Sequence, residues 1–212
     1  MKVAILGASG WIGNTIANEA KSRGHHVVAL VRDPSKLEGS DFEVRRFDLQ
    51  DNQANLNKAL DGVDALITSI GGRASGQHNI VKHTAQTLLT QLPSSGVNRL
   101  LWVGGAGSLE VAPGVSLIST PEFPSEYKAE ATAQGEALAV FKHSNGPVNW
   151  TFISPAADIF PGDALGQYRI GAEQLLTDNE GRSRISVSDY AKAMIDELEA
   201  GQFPQQRIGV AY

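Results

Sequence analysis

Three glycines define the chemistry open to this chain. Gly7, Gly10 and Gly13 punctuate K-V-A-I-L-G-A-S-G-W-I-G, the stretch from Lys2 to Gly13. Ahead of them, Val3-Ala4-Ile5-Leu6 is a short apolar run suited to a strand buried on both faces. Behind them, Ile12, Ile16 and Ala20 recur at helical spacing, which predicts a helix beginning inside the motif. A strand that turns on glycine into a helix offers backbone N–H groups and the positive end of the helix dipole, and a dinucleotide pyrophosphate fits there. A side chain at Gly10 would obstruct the phosphates, and one at Gly13 would push the helix off the sheet. The usual spacing is G-x-G-x-x-G. Gly10 and Gly13 obey it, Ala8 takes the first glycine position, and Gly7 comes one residue early. The backbone of Ser9, Gly10, Trp11 and Ile12 is expected to hold the pyrophosphate, with support from the Ser9 hydroxyl.

Other polar residues fall where further strands should end. Arg32 comes directly off the second strand and could pair with a ribose 2′-phosphate, favouring NADP(H) over NAD(H); the alternative is a solvated surface cation. Asp33 has the spacing of an acid that holds a ribose 2′-hydroxyl, but Asp before Pro34 reads better as a helix cap. Asp48 and Leu49 end the third strand at the height of an adenine ring; Asp48 is equally readable as a turn acid. Ser69, Ile70, Gly71 and Gly72 leave the fourth strand, and Gly104 and Gly105 the fifth, where glycine would leave room beside a nicotinamide. His78 and His83 lack metal-ligand spacing and read as helix-surface residues, with His78 the more open to a substrate contact. No metal site is expected. Tyr127 and Lys128 are the catalytic candidates, at the start of the helix that follows a proline-bearing loop.

These residues need a scaffold of alternating strands and helices. Apolar runs predict strands at His25–Val31, Phe42–Phe47 (nearer an edge), Ala65–Ile70, Val97–Val103, Trp150–Ser154 and Arg207–Tyr212. Gly24, Gly62 and Gly201 should stop helices, Asp51 should cap the helix carrying Leu56, Ala59 and Leu60, and Ser188 and Asp189 the last one. Tyr168–Leu176 and Ser183–Val187 read as two strands joined by a turn at Asp178–Gly181. Leu109–Pro124 reads as a long covering loop. The expectation is an α/β chain: one Rossmann domain over 1–212, with a doubly wound, mostly parallel sheet of about seven strands flanked by helices. A small C-terminal extension lies on the substrate side, whose elements are mainly 105–126 and 155–187.

Composition narrows the class. The chain has 212 residues, 42% of them hydrophobic, enough for one well-buried α/β domain. A net charge of -5 gives no basic footprint for nucleic acid. Absence of cysteine excludes disulfides, thiolate metal sites and cysteine nucleophiles. No apolar run reaches the ~18 residues of a membrane helix, and the first residues enter a strand rather than a signal peptide, so a cytoplasmic protein is expected.

The stretches Gly7–Gly13, Leu30-Val31-Arg32-Asp33, Val103–Gly107, Trp150–Pro155 and Ile185–Ala191 together resemble an atypical short-chain dehydrogenase/reductase of the NmrA-like NAD(P)-binding kind. That group includes proteins similar to biliverdin reductase B and to NADH-flavin reductases. The resemblance implies strand order 3-2-1-4-5-6 plus a seventh strand, with the cofactor across the switch point and Ser154, Pro155 and Ala156 lining the nicotinamide. It also implies a Tyr-x-x-x-Lys on the helix after the fifth strand. Here Ala131 stands four residues after Tyr127, Lys128 is at the wrong spacing, and Gly104-Gly105 replaces the expected serine. Carbonyl-reducing machinery is therefore missing. The expected activity is NAD(P)H-dependent hydride transfer to a conjugated acceptor, such as a flavin or quinone, which solvent can protonate. A non-catalytic NAD(P) sensor is the alternative, and nucleotide-sugar epimerase or dehydratase chemistry ranks last. The expected partners are a small-molecule acceptor and at most a second copy, as monomer or homodimer.

Overall fold

A computed structural model describes residues 1–51, 53–73 and 75–212. The strands are β1 Lys2–Leu6, β2 His26–Val31, β3 Glu43–Arg46, β4 Ala65–Thr68, β5 Arg99–Val103, β6 Glu110–Ala112, β7 Val115–Ser116, β8 Asn149–Ser154, β9 Asp158–Phe160, β10 Arg169–Gly171, β11 Arg184–Ser186 and β12 Gln206–Ala211. The helices are α1 Trp11–Ser22, α2 Leu56–Ala59, α3 Asn79–Ser95, α4 Ser125–Lys142 and α5 Val187–Ala200.

Eight strands form the main sheet in the order β10-β12-β8-β5-β4-β1-β2-β3, all parallel except the edge strand β10. This is the expected doubly wound order with one more strand than anticipated. Alternation along β1 divides the core. Val3 and Ile5 join a cluster with Ile16, Ala20 and Met194 from α1 and α5, whereas Ala4 and Leu6 face a cluster with Leu88, Trp102 and Phe141 toward α3 and α4. Both faces of β1 are dry, which is why its sequence is an unbroken apolar run. Because β4 and β2 flank β1 on opposite sides, the chain reverses its winding there, and the crevice opens at the carboxyl ends of β1 and β4.

Several local expectations change. Arg169–Gly171 and Arg184–Ser186 do not pair with each other: β10 runs antiparallel to β12, and β11 runs parallel to β9. The turn at Asp178–Arg182 does form, with Asp178 N donating to Arg182 O at 2.8 Å, but it closes only on itself. The α5 cap is Ser186, whose side chain accepts from Asp189 N at 3.0 Å. Asn55 rather than Asp51 caps α2, accepting from Lys58 N at 3.0 Å. The stretch after Leu109 contains the β6–β7 hairpin and a short 3-10 turn at Leu117–Ser119. Among the described residues no helix is long and apolar enough to cross a membrane.

Candidate functional site

The crevice begins at Gly7, which adopts φ +88°, a conformation that favours glycine. Its N–H donates to Leu30 O, and Ser69 N donates to Leu6 O at 2.8 Å, so the loops after β1 and β4 are tied to neighbouring strand ends. Gly10 N returns to Gly7 O at 3.0 Å and closes the turn, and α1 starts at Trp11 with no side-chain cap at its N-terminus. The glycines have different reasons to be glycine. A Cβ on Gly7 would stand 2.0 Å from Ser69 O, and one on Gly13 would stand 2.3 Å from Gly7 O. One on Gly10 would meet nothing of the protein nearer than 3.4 Å. Thus Gly7 and Gly13 serve internal packing, while the space over Gly10 is left open in front of an uncapped helix N-terminus. Ser9, Gly10 and Trp11 are exposed around that space, Ile12 is half-buried, and Ala8 is buried in the first-glycine position. This cradle fits a pyrophosphate.

The remaining expected residues are distributed around the same sheet edge. Arg32 is exposed at the end of β2 and makes no ion pair among the described residues, whereas Asp33 caps the following turn through Ser35 N and Ser35 Oγ. Asp48 accepts from Gln50 N at 3.0 Å, the geometry of a turn acid, and Leu49 beside it is half-buried. Ser69 and Ile70 are half-buried beside the glycine turn, and Gly71 is exposed.

At β5 and β8 the reasons differ from those expected. A Cβ on Gly104 would strike the Phe152 ring at 2.2 Å, and one on Gly105 would press on Gln134 at 3.2 Å. These glycines make way for the protein's own side chains rather than for a ring in the crevice. Ser154, Pro155 and Ala156 are all buried; Ser154 Oγ lies 3.4 Å from Nη1 of buried Arg207. Any lining role at this strand end therefore falls to backbone. Arg207 also reaches Glu173 at 2.6 Å; burial raises the Glu173 pKa, and hydrogen bonds from Arg207 and Lys142 outweigh it and hold the carboxyl below its ordinary value. Tyr190 is fully buried and donates to Ile153 O at 2.7 Å, and burial drives its phenol far up, so it is an anchor for α5 and no proton shuttle.

Tyr127 and Lys128 do not form a pair. Tyr127 is 43% exposed, with the Arg73 guanidinium 4.4 Å from its ring centre, and Lys128 is exposed beside it. The helical pair that does face the end of β4 is Glu130 and Gln134. Glu130 Oε2 accepts from Gly72 N at 2.9 Å and lies 3.0 Å from His78 Nδ1. Gln134 Nε2 reaches Ile70 O at 3.2 Å and Glu130 Oε1 at 3.3 Å, and its Oε1 accepts from Trp102 Nε1 at 3.0 Å. His78 is thus tied into this network instead of lying on an ordinary helix surface. Glu130 and Gln134 were not singled out by the sequence; the only available signal was their spacing of four on the helix after β5. Among the described residues no group of three or more His, Asp or Glu could hold a metal ion.

A family model described as NAD(P)H-binding matches residues 7–200. The chain belongs to that family. It is 40% identical to the uncharacterized Bacillus subtilis protein YwnB, over 99% of this chain and 98% of that one. A solved structure from Burkholderia pseudomallei, provisionally named an exported protein, is 41% identical with a TM-score of 0.90, each chain being covered in full. A solved structure from Streptococcus pneumoniae, provisionally named an NADH-flavin reductase, is 33% identical with a TM-score of 0.85, over 100% of this chain and 99% of that one. The family is one that binds NAD(P)H, in agreement with the resemblance to NmrA-like proteins.

Proposed function

We propose that the chain is a reductase that passes a hydride from NADPH to a flat conjugated acceptor such as a free flavin or a quinone. One observation carries this reading: the helix that would hold a Tyr-x-x-x-Lys presents Ala131 four residues after Tyr127, in a crevice otherwise shaped for a dinucleotide. Without that pair the lysine-activated phenol that would protonate a developing alkoxide is missing. A conjugated acceptor spreads the incoming charge over its ring system. The named Streptococcus pneumoniae relative supports the same acceptor class.

A bound reduced nicotinamide would supply the hydride. The chain's part is orientation. The N–H groups at the start of α1 and the Ser9 hydroxyl would hold the pyrophosphate. Arg32 would pair with the 2′-phosphate, since its neighbour Asp33 is already committed to Ser35. The loops after β4 and β5 would bound the ring. We read residues 1–212 as one domain, with 105–126 and 155–187 forming its substrate side. The buried Asp189 accepts from Leu165 N at 2.7 Å and Gly166 N at 3.0 Å, and so straps an exposed segment of that side onto α5.

Steady-state oxidation of NADPH and of NADH with FMN and with quinones tests the reading. Turnover with NADPH and at least one such acceptor is expected. Tight NADPH binding with no turnover on the whole panel would overturn it in favour of a non-catalytic sensor.

A further inference from the structure

We infer that His78 supplies the proton required by the reduced acceptor, with Glu130 as its positioning residue; this rests on the reductase reading above. His78 precedes α3 and lies on the carboxyl side of β4, the strand next to β1 at the switch point. Its Nδ1 is 3.0 Å from Glu130 Oε2, and its side chain is 29% exposed. Nε2 makes no hydrogen bond among the described residues, so the ring is held at one nitrogen and open at the other. A carboxylate at Nδ1 fixes the ring's orientation and leaves Nε2 as the nitrogen that can meet an acceptor.

The support is built from several directions. Glu130 is gripped by Gly72 N and by Gln134, and Gln134 is itself held by Trp102 Nε1 and by Ile70 O. Two glycines make the close approach possible. A Cβ on Gly71 would stand 2.8 Å from Glu130 Oε1, and one on Gly72 would stand 2.3 Å from His78 Cα. The loop leaving β4 is thereby drawn tightly against the acid and the imidazole. Glu130 and Gln134 stand four apart on α4, on the face that meets the loop after β4.

The chemistry balances. After the hydride and its electron pair have moved from NADPH to a quinone, the ring carries an oxyanion. The His78 imidazolium gives up its Nε2 proton, an O–H bond forms on the acceptor, and the neutral imidazole regains a proton from water. NADP+ and the hydroquinone are the products.

The test uses the full chain with NADPH and a soluble naphthoquinone. His78→Ala should lower kcat by ~10²-fold, in the range of general acid help, while NADPH affinity by fluorescence titration stays within about twofold. Added imidazole should restore part of the rate in His78→Ala and none in wild type. Glu130→Gln keeps an acceptor for Gly72 N and should lower kcat by about tenfold, with KM little changed. Independently of turnover, the 15N resonance of His78 Nε2 should move when the quinone is added to the NADP+ complex. An unchanged kcat in His78→Ala would overturn the inference. So would a loss that imidazole does not rescue, accompanied by an unmoved Nε2 resonance. Lack of any wild-type turnover with a flavin or quinone would instead remove the reductase reading beneath it.

Discussion

Gly13 sits so close to Gly7 that a Cβ on it would stand 2.3 Å from the Gly7 carbonyl oxygen, while a Cβ on Gly10 would clear the same oxygen by 3.4 Å. Two glycines three residues apart therefore answer to different constraints, one to the fold and one to the ligand. Gly13→Ala must separate α1 from the β1 turn and should destabilise the protein by about 1–3 kcal/mol, the usual cost of overpacking. Gly10→Val should stay folded, because φ -81° and ψ 163° at Gly10 are extended backbone that valine adopts readily. Its methyl groups would occupy the phosphate path. Thermal unfolding and NADPH titration should separate the two variants: Gly13→Ala loses stability, and Gly10→Val loses at least ~10-fold in affinity, a difference of about 1.4 kcal/mol. Unaltered NADPH binding in Gly10→Val would place the site elsewhere.

Nucleotide choice should follow from Arg32. It stands exposed at the end of β2 with no ion pair among the described residues, and Asp33, the acid that could have read a ribose hydroxyl, is spent on Ser35 N at 3.1 Å and Ser35 Oγ at 2.7 Å. A charge-assisted contact contributes about 1.5–3 kcal/mol, so Arg32→Ala should weaken NADPH by ~10- to 100-fold and NADH hardly at all. Equal losses for both nucleotides would make Arg32 a surface cation.

The parts of this fold that were legible in the sequence are those decided locally. The Val3–Leu6 run, the glycine turn and the Ile12, Ile16, Ala20 period specify β1, the crevice and α1 with no reference to the rest of the chain. Asp33 before Pro34 gives its cap correctly for the same reason. Arg184–Ser186 was misassigned because turn chemistry at 178–181 is local while strand partners are not. Ile185 is fully buried and joins the α1/α5 core cluster, and pairing with β9 places it there. Gly104 looked like space for a ligand because only the folded chain brings the Phe152 ring against it. Glu130 and Gln134 were invisible as a pair facing β4, since helical spacing shows that they are neighbours but not which loop they meet.

Acid should weaken the far edge of the sheet through Glu43. Its carboxylate on β3 is 2.9 Å from Lys2 Nζ on β1 and 2.8 Å from His26 Nε2 on β2, and it also pairs with Arg45. Hydrogen bonds from Lys2, His26 and Arg45 lower its pKa from 4.5 to about 2. A depressed folded-state pKa means that the stabilisation is complete above the unfolded value and disappears as pH falls through the folded one. The side chain is 34% exposed, so solvent screening keeps the effect modest. In urea titrations the stability gap between wild type and Glu43→Gln should hold steady above about pH 5 and close between ~4.5 and 2. A gap that widens on acidification would contradict this assignment.

Tyr127 is the residue whose removal best separates the two kinds of reductase. It occupies the first turn of α4, yet four residues later, where a Tyr-x-x-x-Lys would need its lysine, stands Ala131, packed where a Cβ on Gly107 would meet it at 2.7 Å. The Arg73 guanidinium lies over the face of its ring at 4.4 Å, an arrangement that holds the ring as a wall. A phenol acting as a general acid needs a positioned lysine beside it, and Ala131 stands at that position. Tyr127→Phe keeps the aromatic face and the stacking and removes only the hydroxyl. It should retain activity toward a flavin or quinone to within about threefold, whereas general acid help is worth ~10²–10⁴-fold and its loss could not be missed. A drop of that size, with folding and NADPH affinity intact, would make the Tyr127 hydroxyl the proton donor in place of His78.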